Sequence, residues 1–352
     1  MFQQKSDFLK VLSKEISAHI PLYCTGYPEL EFINKYTECF NLNSNKKNLV
    51  LNEKNYNVID QMGFDAISLW DFRRGKGGYR LDDQRRVDGW GRIYKGDWYT
   101  WEGVFRSEKI LENWEHLKLP LKKKINALEN FLNSNKINNQ LEYALSLPGL
   151  FEKTWQSMGF TFFSKCLKKN VKLVETIISF FSDYVKELIS VLQNTGAKIF
   201  IIADDYGYKN RTFISKEIWR DLFFNHYQEI IKIVHEKNQK IIIHSDGYIS
   251  DFFEVFLDLK FDAVQSLEPN AGVDIIALFK KFRNQICFIG NLDITLLSFG
   301  NPYQVKQYVI NLIKKSKQYN SPLIISPTQQ INSKCKPDNI KVMIEATKNY
   351  LP

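Results

Sequence analysis

The chain has 352 residues, of which 44% are hydrophobic, and it carries a formal net charge of +9 at pH 7. Its apolar runs are far shorter than the ~20 residues that a membrane span needs, and its first residues lack the apolar core of a signal peptide. A cytoplasmic protein is therefore expected. The five cysteines never form a C-x-x-C pair, which disfavours a disulfide framework or a zinc ribbon. No recognised nucleic-acid-binding module accompanies the positive charge, so nucleic-acid binding is not expected.

Short apolar runs, separated by helical segments, predict the strands. In chain order they lie at residues 21–25, 65–70, 143–147, 198–205, 240–246, 262–268, 286–291 and 323–326. An amphipathic helix is predicted from its N-cap, Ser215, to about residue 238. Later helices begin after Asp274 and at the Asn301-Pro302 pair, an N-cap followed by proline at the first helical position.

Strands that alternate with helices in this way are typical of parallel strands buried on both faces. Eight such units are what a closed barrel requires. The sequence therefore predicts an α/β fold, a (β/α)8 TIM barrel with additional N-terminal helices, as one domain over residues 1–352. An open, doubly wound sheet is the alternative.

Polar residues crowd the carboxyl ends of six predicted strands, where the active sites of such barrels lie. They are Asp71, Arg73 and Arg74; Asp204, Asp205, Tyr206 and Tyr208; His244, Ser245 and Asp246; Glu268 and Asn270; Asn291 and Asp293; and Thr328, Gln329 and Gln330. A single aspartate such as Asp293 is often only the cap of the next helix. Six polar strand ends at one rim would repel or desolvate each other without a ligand, so a site is predicted there.

The segment of residues 70–98 is rich in Arg, Gly and Trp. Three glycines surround Lys76 and predict a mobile loop, while Arg73 and Arg74 offer fork-shaped donors for carboxylates or phosphates. The segment lacks the spacing of a P-loop. Its position after the second strand favours a lid that helps to bind an anionic substrate, and a solvated surface hairpin is the alternative.

The second half of the chain resembles the uroporphyrinogen decarboxylase superfamily. The resemblance rests on Ala-Asp-Asp-Tyr-Gly at 203–207, Ile-His-Ser-Asp-Gly at 243–247, Leu-Glu-Pro-Asn-Ala-Gly at 267–272 and Phe-Ile-Gly-Asn-Leu-Asp at 288–293. This superfamily contains porphyrinogen decarboxylases and zinc-dependent methyltransferases that move a methyl group between a corrinoid and a thiol. Both use the barrel inferred above.

The resemblance to each branch is incomplete. The decarboxylases grip substrate carboxylates with an Arg-rich loop after the first strand, and residues 23–29 contain no Arg. Their catalytic aspartate has a counterpart in Asp71, and their histidine near strand eight is replaced by Gln329. The methyltransferases hold zinc with His-x-Cys and a later Cys; this chain keeps His244 but has Asp246 and Gln329 at the cysteine positions. Such a set suits a harder metal or a weaker zinc site.

Three hypotheses follow from the resemblance. The leading one is a methyltransferase-like enzyme for a small methylated or anionic substrate, with zinc or another divalent metal at His244 and Asp246, completed by Glu268 or Cys335, and with a corrinoid protein as partner. Its catalytic residues are Asp71, Asp205, His244 and Glu268. The residues assigned to substrate binding are Arg73, Arg74, Tyr206, Tyr208, Asn270, Asn291 and Gln329.

The second hypothesis is a cofactor-independent decarboxylase, in which an aspartate such as Asp71 stabilises a protonated pyrrole. The third is a non-catalytic barrel that binds a corrinoid protein or a ligand. The alternative to metal ligation, under any of these hypotheses, is that His244 and Asp246 form a hydrogen-bonded pair without a metal. A homodimer is left open under all three.

Overall fold

The computed structural model describes residues 6–17, 19–42, 53–69, 77–138 and 141–350. Its strands are β1 (Tyr23–Cys24), β2 (Ala66–Leu69), β3 (Gly78–Arg80), β4 (Arg85–Asp88), β5 (Arg92–Lys95), β6 (Trp98–Gly103), β7 (Glu142–Pro148), β8 (Ile199–Ala203), β9 (Gly207–Tyr208), β10 (Arg211–Thr212), β11 (Lys240–Ser245), β12 (Ala263–Ser266), β13 (Cys287–Leu292) and β14 (Leu323–Pro327). Its α-helices are α1 (Asp7–Leu12), α2 (Leu30–Phe40), α3 (Glu53–Met62), α4 (Glu108–Glu112), α5 (Lys122–Asn138), α6 (Leu150–Met158), α7 (Phe160–Lys169), α8 (Val171–Leu192), α9 (Lys216–Glu236), α10 (Phe253–Leu259), α11 (Ile275–Phe282), α12 (Ile294–Phe299), α13 (Pro302–Gln318) and α14 (Pro337–Lys348).

Eight parallel strands form the central sheet in the order β1-β2-β7-β8-β11-β12-β13-β14. A parallel bridge between Leu22 and Ile325 joins the first strand to the last, and the Ile325 N–H donates to the Pro21 carbonyl at 2.9 Å. The sheet therefore closes into the predicted (β/α)8 barrel with helices around it. All eight predicted barrel strands are confirmed, and an open doubly wound sheet is excluded.

The barrel interior is filled by inward-facing side chains from most of its strands. They are Tyr23, Ala66, Ala144, Ile199, Ile201, Ile242, Ala263, Cys287, Ile289 and Ile324. Several are alanines, and the space that small side chains leave is taken by Phe8, Leu9, Val11 and Leu12 of α1. The interior is thus a packed core, as is usual for this architecture.

Helix α1 lies at the amino ends of the barrel strands. The Phe8 ring stacks on the Tyr23 ring with centroids 6.0 Å apart. Ser6 Oγ, at the N-cap of α1, donates to Glu142 Oε1 at the start of β7 at 2.8 Å. The helix therefore covers the end of the barrel opposite the predicted site.

The helix starts predicted from the sequence are confirmed by their caps. Ser215 Oγ accepts from the Ile218 N–H at 3.3 Å, and Asp274 Oδ1 accepts from the N–H groups of Ile276 and Ala277 at 3.0 Å. Asn301 forms a reciprocal capping box with Gln304 at the start of α13. In the described ranges, no helix combines the length and apolarity that crossing a bilayer requires.

Residues 78–103 form a four-stranded antiparallel sheet, in the order β3-β4-β5-β6, inserted after β2. The antiparallel β3–β4 pair agrees with the alternative of a surface hairpin and extends it to four strands. The mobile loop predicted around Lys76 lies mostly outside the described residues. The strands were missed because they mix charged and aromatic residues and have few inward apolar positions: Val87 and Ile93 are buried, while Arg86 is exposed. Arg92 anchors the sheet to α6 by donating to Gln156 Oε1 at 3.0 Å.

Candidate metal centre at the carboxyl end of the barrel

Three side chains at the ends of β8 and β11 converge on one point. Ligand atoms of Asp205, His244 and Asp246 lie within 4.8 Å of one another, and His244 Nε2 is 3.6 Å from Asp246 Oδ1. His244 lies within β11, and the two aspartates follow their strands directly or by one residue. Two carboxylates and an imidazole form a donor set that suits a divalent cation harder than a zinc ion held by thiolates. The residues present therefore fit a metal ion.

Backbone pairing between β8 and β11 sets this convergence. His244 is in register with Ala203, and the Asp204 N–H donates to the His244 carbonyl at 2.9 Å. Beyond the strands, the Asp246 N–H donates to Asp205 Oδ1 at 2.9 Å. The Asp205 carboxylate is thus held by the main chain of Asp246, the residue that supplies the second carboxylate of the group.

The carboxylates of this group stand in an acidic environment. Burial raises the pKa of Asp205, and the neighbouring carboxylates of Asp246 and Glu152 raise it further, although His244 lowers it. An ionised Asp205 beside Asp246 needs a compensating positive charge. A bound cation would supply that charge.

Glu268 flanks the three-residue group. Its Oε2 accepts from the Gly247 N–H at 3.1 Å and its Oε1 accepts from Gln329 Nε2 at 2.8 Å. Burial raises the pKa of Glu268, and the Asp246 carboxylate adds to this effect. The structure thus brings the predicted residues Glu268 and Gln329 into contact, but Glu268 is not one of the three clustered residues in the described part of the chain.

Cys335 does not join the group as a ligand in the described structure. It is buried, and its Sγ lies 3.6 Å from Ser298 Oγ of α12 and 3.9 Å from Asn332 Oδ1. Burial raises the pKa of this thiol. The third residue of the group is instead Asp205, which the sequence predicts as a catalytic residue and not as a metal ligand.

Asp204, next to Asp205 in the chain, has a structural position. Its fully buried carboxylate accepts from the Phe151 N–H at 3.1 Å and the Glu152 N–H at 2.6 Å, at the start of α6. Tyr227 Oη donates to it at 2.5 Å. Burial raises the pKa of Asp204 to about 6. Side chains of consecutive residues in an extended chain point to opposite sides. Asp204 therefore faces the helix layer, and Asp205 faces the site.

The structure places the predicted substrate-binding residues in different surroundings. Tyr206 is 1% exposed in the hydrophobic core, with its ring stacked on Phe252 at 5.1 Å, so it is not brought to the site. Asn291 is 1% exposed as well, and it bonds to the Leu267 carbonyl and accepts from Tyr308 Oη at 2.6 Å.

Two others are accessible. Tyr208 is 46% exposed in the β9–β10 hairpin, and exposed Asn270 contacts Thr295 Oγ1 at 3.4 Å. Asp71, Arg73 and Arg74 lie outside the described residues.

Three residues that were not predicted from the sequence contact the group or support a residue that does: Ser266, Gln265 and Thr25. Ser266 Oγ donates to Asp246 Oδ1 at 2.9 Å, from a backbone with φ of 96°. Gln265 Oε1 contacts His244 Nδ1, and Gln265 Nε2 donates to Thr25 Oγ1 at 2.9 Å. A signal for Gln265 was present: it is a polar residue in the apolar β12 segment, two positions after inward-facing Ala263.

The fold agrees with comparisons with known proteins. The model of the uroporphyrinogen decarboxylase (URO-D) family matches residues 153–350, more than half of the chain. The chain therefore belongs to the uroporphyrinogen decarboxylase family, whose members are enzymes, decarboxylases and methyltransferases among them. A search among curated proteins found no match in sequence.

Among solved structures, a methyltransferase from Methanosarcina mazei superposes with a TM-score of 0.69 and 15% identity, covering 97% of each chain. This likeness confirms the fold. A B12-independent methionine synthase from Shewanella sp. W3-18-1, solved with selenomethionine, superposes with a TM-score of 0.49 and 12% identity, covering 93% of this chain and 97% of that one.

Proposed function

We propose that this protein is a metal-dependent, methyltransferase-like enzyme that acts on a small methylated substrate with a corrinoid protein as partner. The observation that carries the proposal is the convergence of Asp205, His244 and Asp246. Family membership and the fold shared with a methyltransferase support the reaction class. A divalent cation held by these residues would act as a Lewis acid that binds and activates the group accepting or releasing the methyl.

The chain's own residues then have separate tasks. Asp205 and Asp246 would provide the negative charge that holds the cation, and His244 would provide a nitrogen ligand. Glu268, whose pKa is raised by burial and by Asp246, titrates closer to neutral pH than an ordinary glutamate. It is therefore suited to take up or release a proton beside the ligand group. Gln329 donates to Glu268 at 2.8 Å and keeps its carboxylate oriented.

The acidity of the described site disfavours a porphyrinogen substrate. Asp205, Asp246, Glu268 and the nearby Glu152 are carboxylates, and they would repel the carboxylate side chains of a porphyrinogen. A small neutral or cationic methylated compound meets no such repulsion.

Metal content tests the centre directly. Purified wild-type protein is expected to contain or take up a divalent metal in about equimolar amount, measured by elemental analysis and by titration with Zn²⁺, Mn²⁺ and Co²⁺. His244→Ala and Asp205→Asn should lose this binding. His235→Ala is the matched control, because His235 also pairs with an aspartate, Asp262 at 3.0 Å, but at the start of the barrel strands. Equal metal content in wild type and His244→Ala would contradict the proposal.

Turnover separates the three functional hypotheses. Methyl transfer between methylcobalamin and a thiol, lost in His244→Ala, is the expected result. Loss of carboxylates from uroporphyrinogen without added metal would instead identify a decarboxylase. A stable complex with a corrinoid protein and no turnover would identify a binding barrel.

A further inference from the structure

A buried amide lies directly behind the histidine of the ligand group. Gln265 is 0% exposed and occupies the position of β12 that is in register with His244 of β11. Its Oε1 contacts His244 Nδ1, the ring nitrogen other than the one nearest Asp246. Gln265 therefore touches the imidazole but belongs to no part of the ligand set.

A hydroxyl group on the opposite strand determines which way this amide points. Gln265 Nε2 lies 2.9 Å from Thr25 Oγ1, which in turn lies 3.1 Å from the Pro327 carbonyl oxygen. A carbonyl only accepts, and with the single hydroxyl proton of Thr25 donated to Pro327 its oxygen offers only lone pairs to Gln265. Thr25 Oγ1 must then accept from Gln265, which requires the NH2 side of the amide to face Thr25.

A neighbouring hydroxyl, that of Ser326, is consistent with that direction. Ser326 Oγ is 2.9 Å from Thr25 Oγ1 and also donates to the Pro327 carbonyl at 2.9 Å. Neither contact requires Thr25 to turn its proton toward Gln265. The amide oxygen of Gln265 is consequently left to face His244.

We propose that Gln265 is a positioning residue that holds His244 in the tautomer with its proton on Nδ1, leaving the Nε2 lone pair directed at Asp205 and Asp246. An amide oxygen accepts but cannot donate, so the nitrogen it contacts carries the proton. The other nitrogen of a neutral imidazole is then a free acceptor. The inference rests on the proposed function in one respect, that a metal uses this lone pair.

The tautomer is measurable without metal or activity. With ¹⁵N-labelled histidine, each of the five histidines gives separate resonances for a protonated and an unprotonated ring nitrogen. The spectrum is recorded at about pH 8, where an ordinary imidazole is neutral, and His244→Ala assigns the signal. Wild type is expected to show a proton on Nδ1 and a bare Nε2.

Variants of Gln265 distinguish positioning from packing. Gln265→Leu removes the acceptor, so the His244 signal should shift toward protonated Nε2, and metal affinity should fall roughly 10- to 100-fold, as when such outer-shell partners are removed. Gln265→Glu keeps an acceptor at Nδ1 and should retain the wild-type tautomer. Gln239→Leu is the matched control, since buried Gln239 bonds to the Ala197 carbonyl at the opposite end of β11, and it should leave both readouts unchanged.

A proton on Nε2 in wild type, or an unchanged tautomer in Gln265→Leu, would overturn the inference. If the tautomer behaves as expected but no variant or wild type binds metal, the positioning role is supported and the metal-dependent function fails. If metal binds and Gln265→Leu alters neither readout, the proposed function is supported and the role of Gln265 fails. The two proposals are thus tested separately.

Discussion

The backbones of Gly207 and Gly247 touch where the chain segments after β8 and β11 approach each other. A Cβ atom on Gly207 would lie 2.5 Å from the Tyr248 nitrogen and 2.6 Å from the Gly247 carbonyl carbon, closer than real Cβ contacts come. Gly247 also has φ of 78°, in the left-handed region that favours glycine. This approach places Asp205 beside the Asp246 N–H that fixes it.

Gly207→Ala is therefore expected to push the two segments apart and to weaken metal binding at least about tenfold, the scale of lost outer-shell support. Isothermal titration with Zn²⁺ measures the affinity. Gly96→Ala serves as the control, because a Cβ there would meet nothing within 4 Å although φ is 59°. That variant should lose about 1–2 kcal/mol of stability to backbone strain and bind metal normally. Unchanged affinity in Gly207→Ala would show that the close approach does not set the ligand geometry.

Ser266 has a strained backbone and also donates a hydrogen bond to Asp246, a proposed metal ligand. Its φ of 96° is unfavourable for any residue but glycine, and its hydroxyl donates to Asp246 at 2.9 Å. Ser266→Gly should be more stable than Ser266→Ala by about 1 kcal/mol, because only the glycine relieves the strain. Both variants lose the hydroxyl and should show the same reduced metal affinity. Denaturant unfolding and metal titration of the pair test this, and equal stability would mean that the strain is small.

The charged residues around Asp262, at the amino end of the barrel, predict how the stability of the protein changes at acid pH. Burial alone would raise the pKa of Asp262, but hydrogen bonds from His235, Lys240 and the Ile241 N–H outweigh it and lower the pKa below 3.8. A lowered carboxyl pKa contributes stability above the unfolded-state value, and that stability is lost as pH falls through the folded-state value. Asp262→Asn should therefore be less stable than wild type at pH 7.

The difference between wild type and Asp262→Asn should shrink as pH drops below about 4. Urea unfolding across this range measures it. Asp83→Asn, on an exposed turn, is expected to differ little from wild type at any pH. If the stability difference between wild type and Asp262→Asn does not change with pH, the hydrogen bonds to the Asp262 carboxylate are not its cause.

Tyr227 links helix α9 to the start of α6. Its Oη donates to Asp204 at 2.5 Å and accepts from the Leu150 N–H at 2.9 Å. Tyr227→Phe leaves both buried groups with one partner fewer and should cost about 1–3 kcal/mol of unfolding free energy. Exposed Tyr303 supplies the control, Tyr303→Phe, which should be neutral. A larger effect of Tyr227→Phe on metal affinity than on stability would place Asp204 in the site after all.

The barrel was predictable because each of its strands is a short apolar run between helical segments. The site was only partly predictable. Asp204 and Asp205 are adjacent and chemically identical, and only the observed contacts of Asp204 with α6 assign it to the structure. Tyr206 follows them at a strand end, yet its ring turns into the aromatic core beside Phe252.

Other residues escaped prediction because their role depends on contacts distant in sequence. Gln265 meets Thr25 across 240 residues, and nothing near either residue indicates the pairing. The β3–β6 sheet lacks the apolar alternation of a half-buried strand, since charged and aromatic residues occupy most of its outward positions. Periodicity therefore finds the buried barrel and overlooks a polar insertion packed on it.

The bond from the Asp246 N–H to Asp205 has an evolutionary consequence. It uses the main chain at position 246, so it survives any exchange of that side chain. Asp246→Cys would replace an oxygen donor by sulfur without disturbing the partner carboxylate, and would move the preference of the centre from hard cations toward zinc. At the proposed metal centre, selectivity could therefore diverge through one codon while the architecture that holds the centre stays the same.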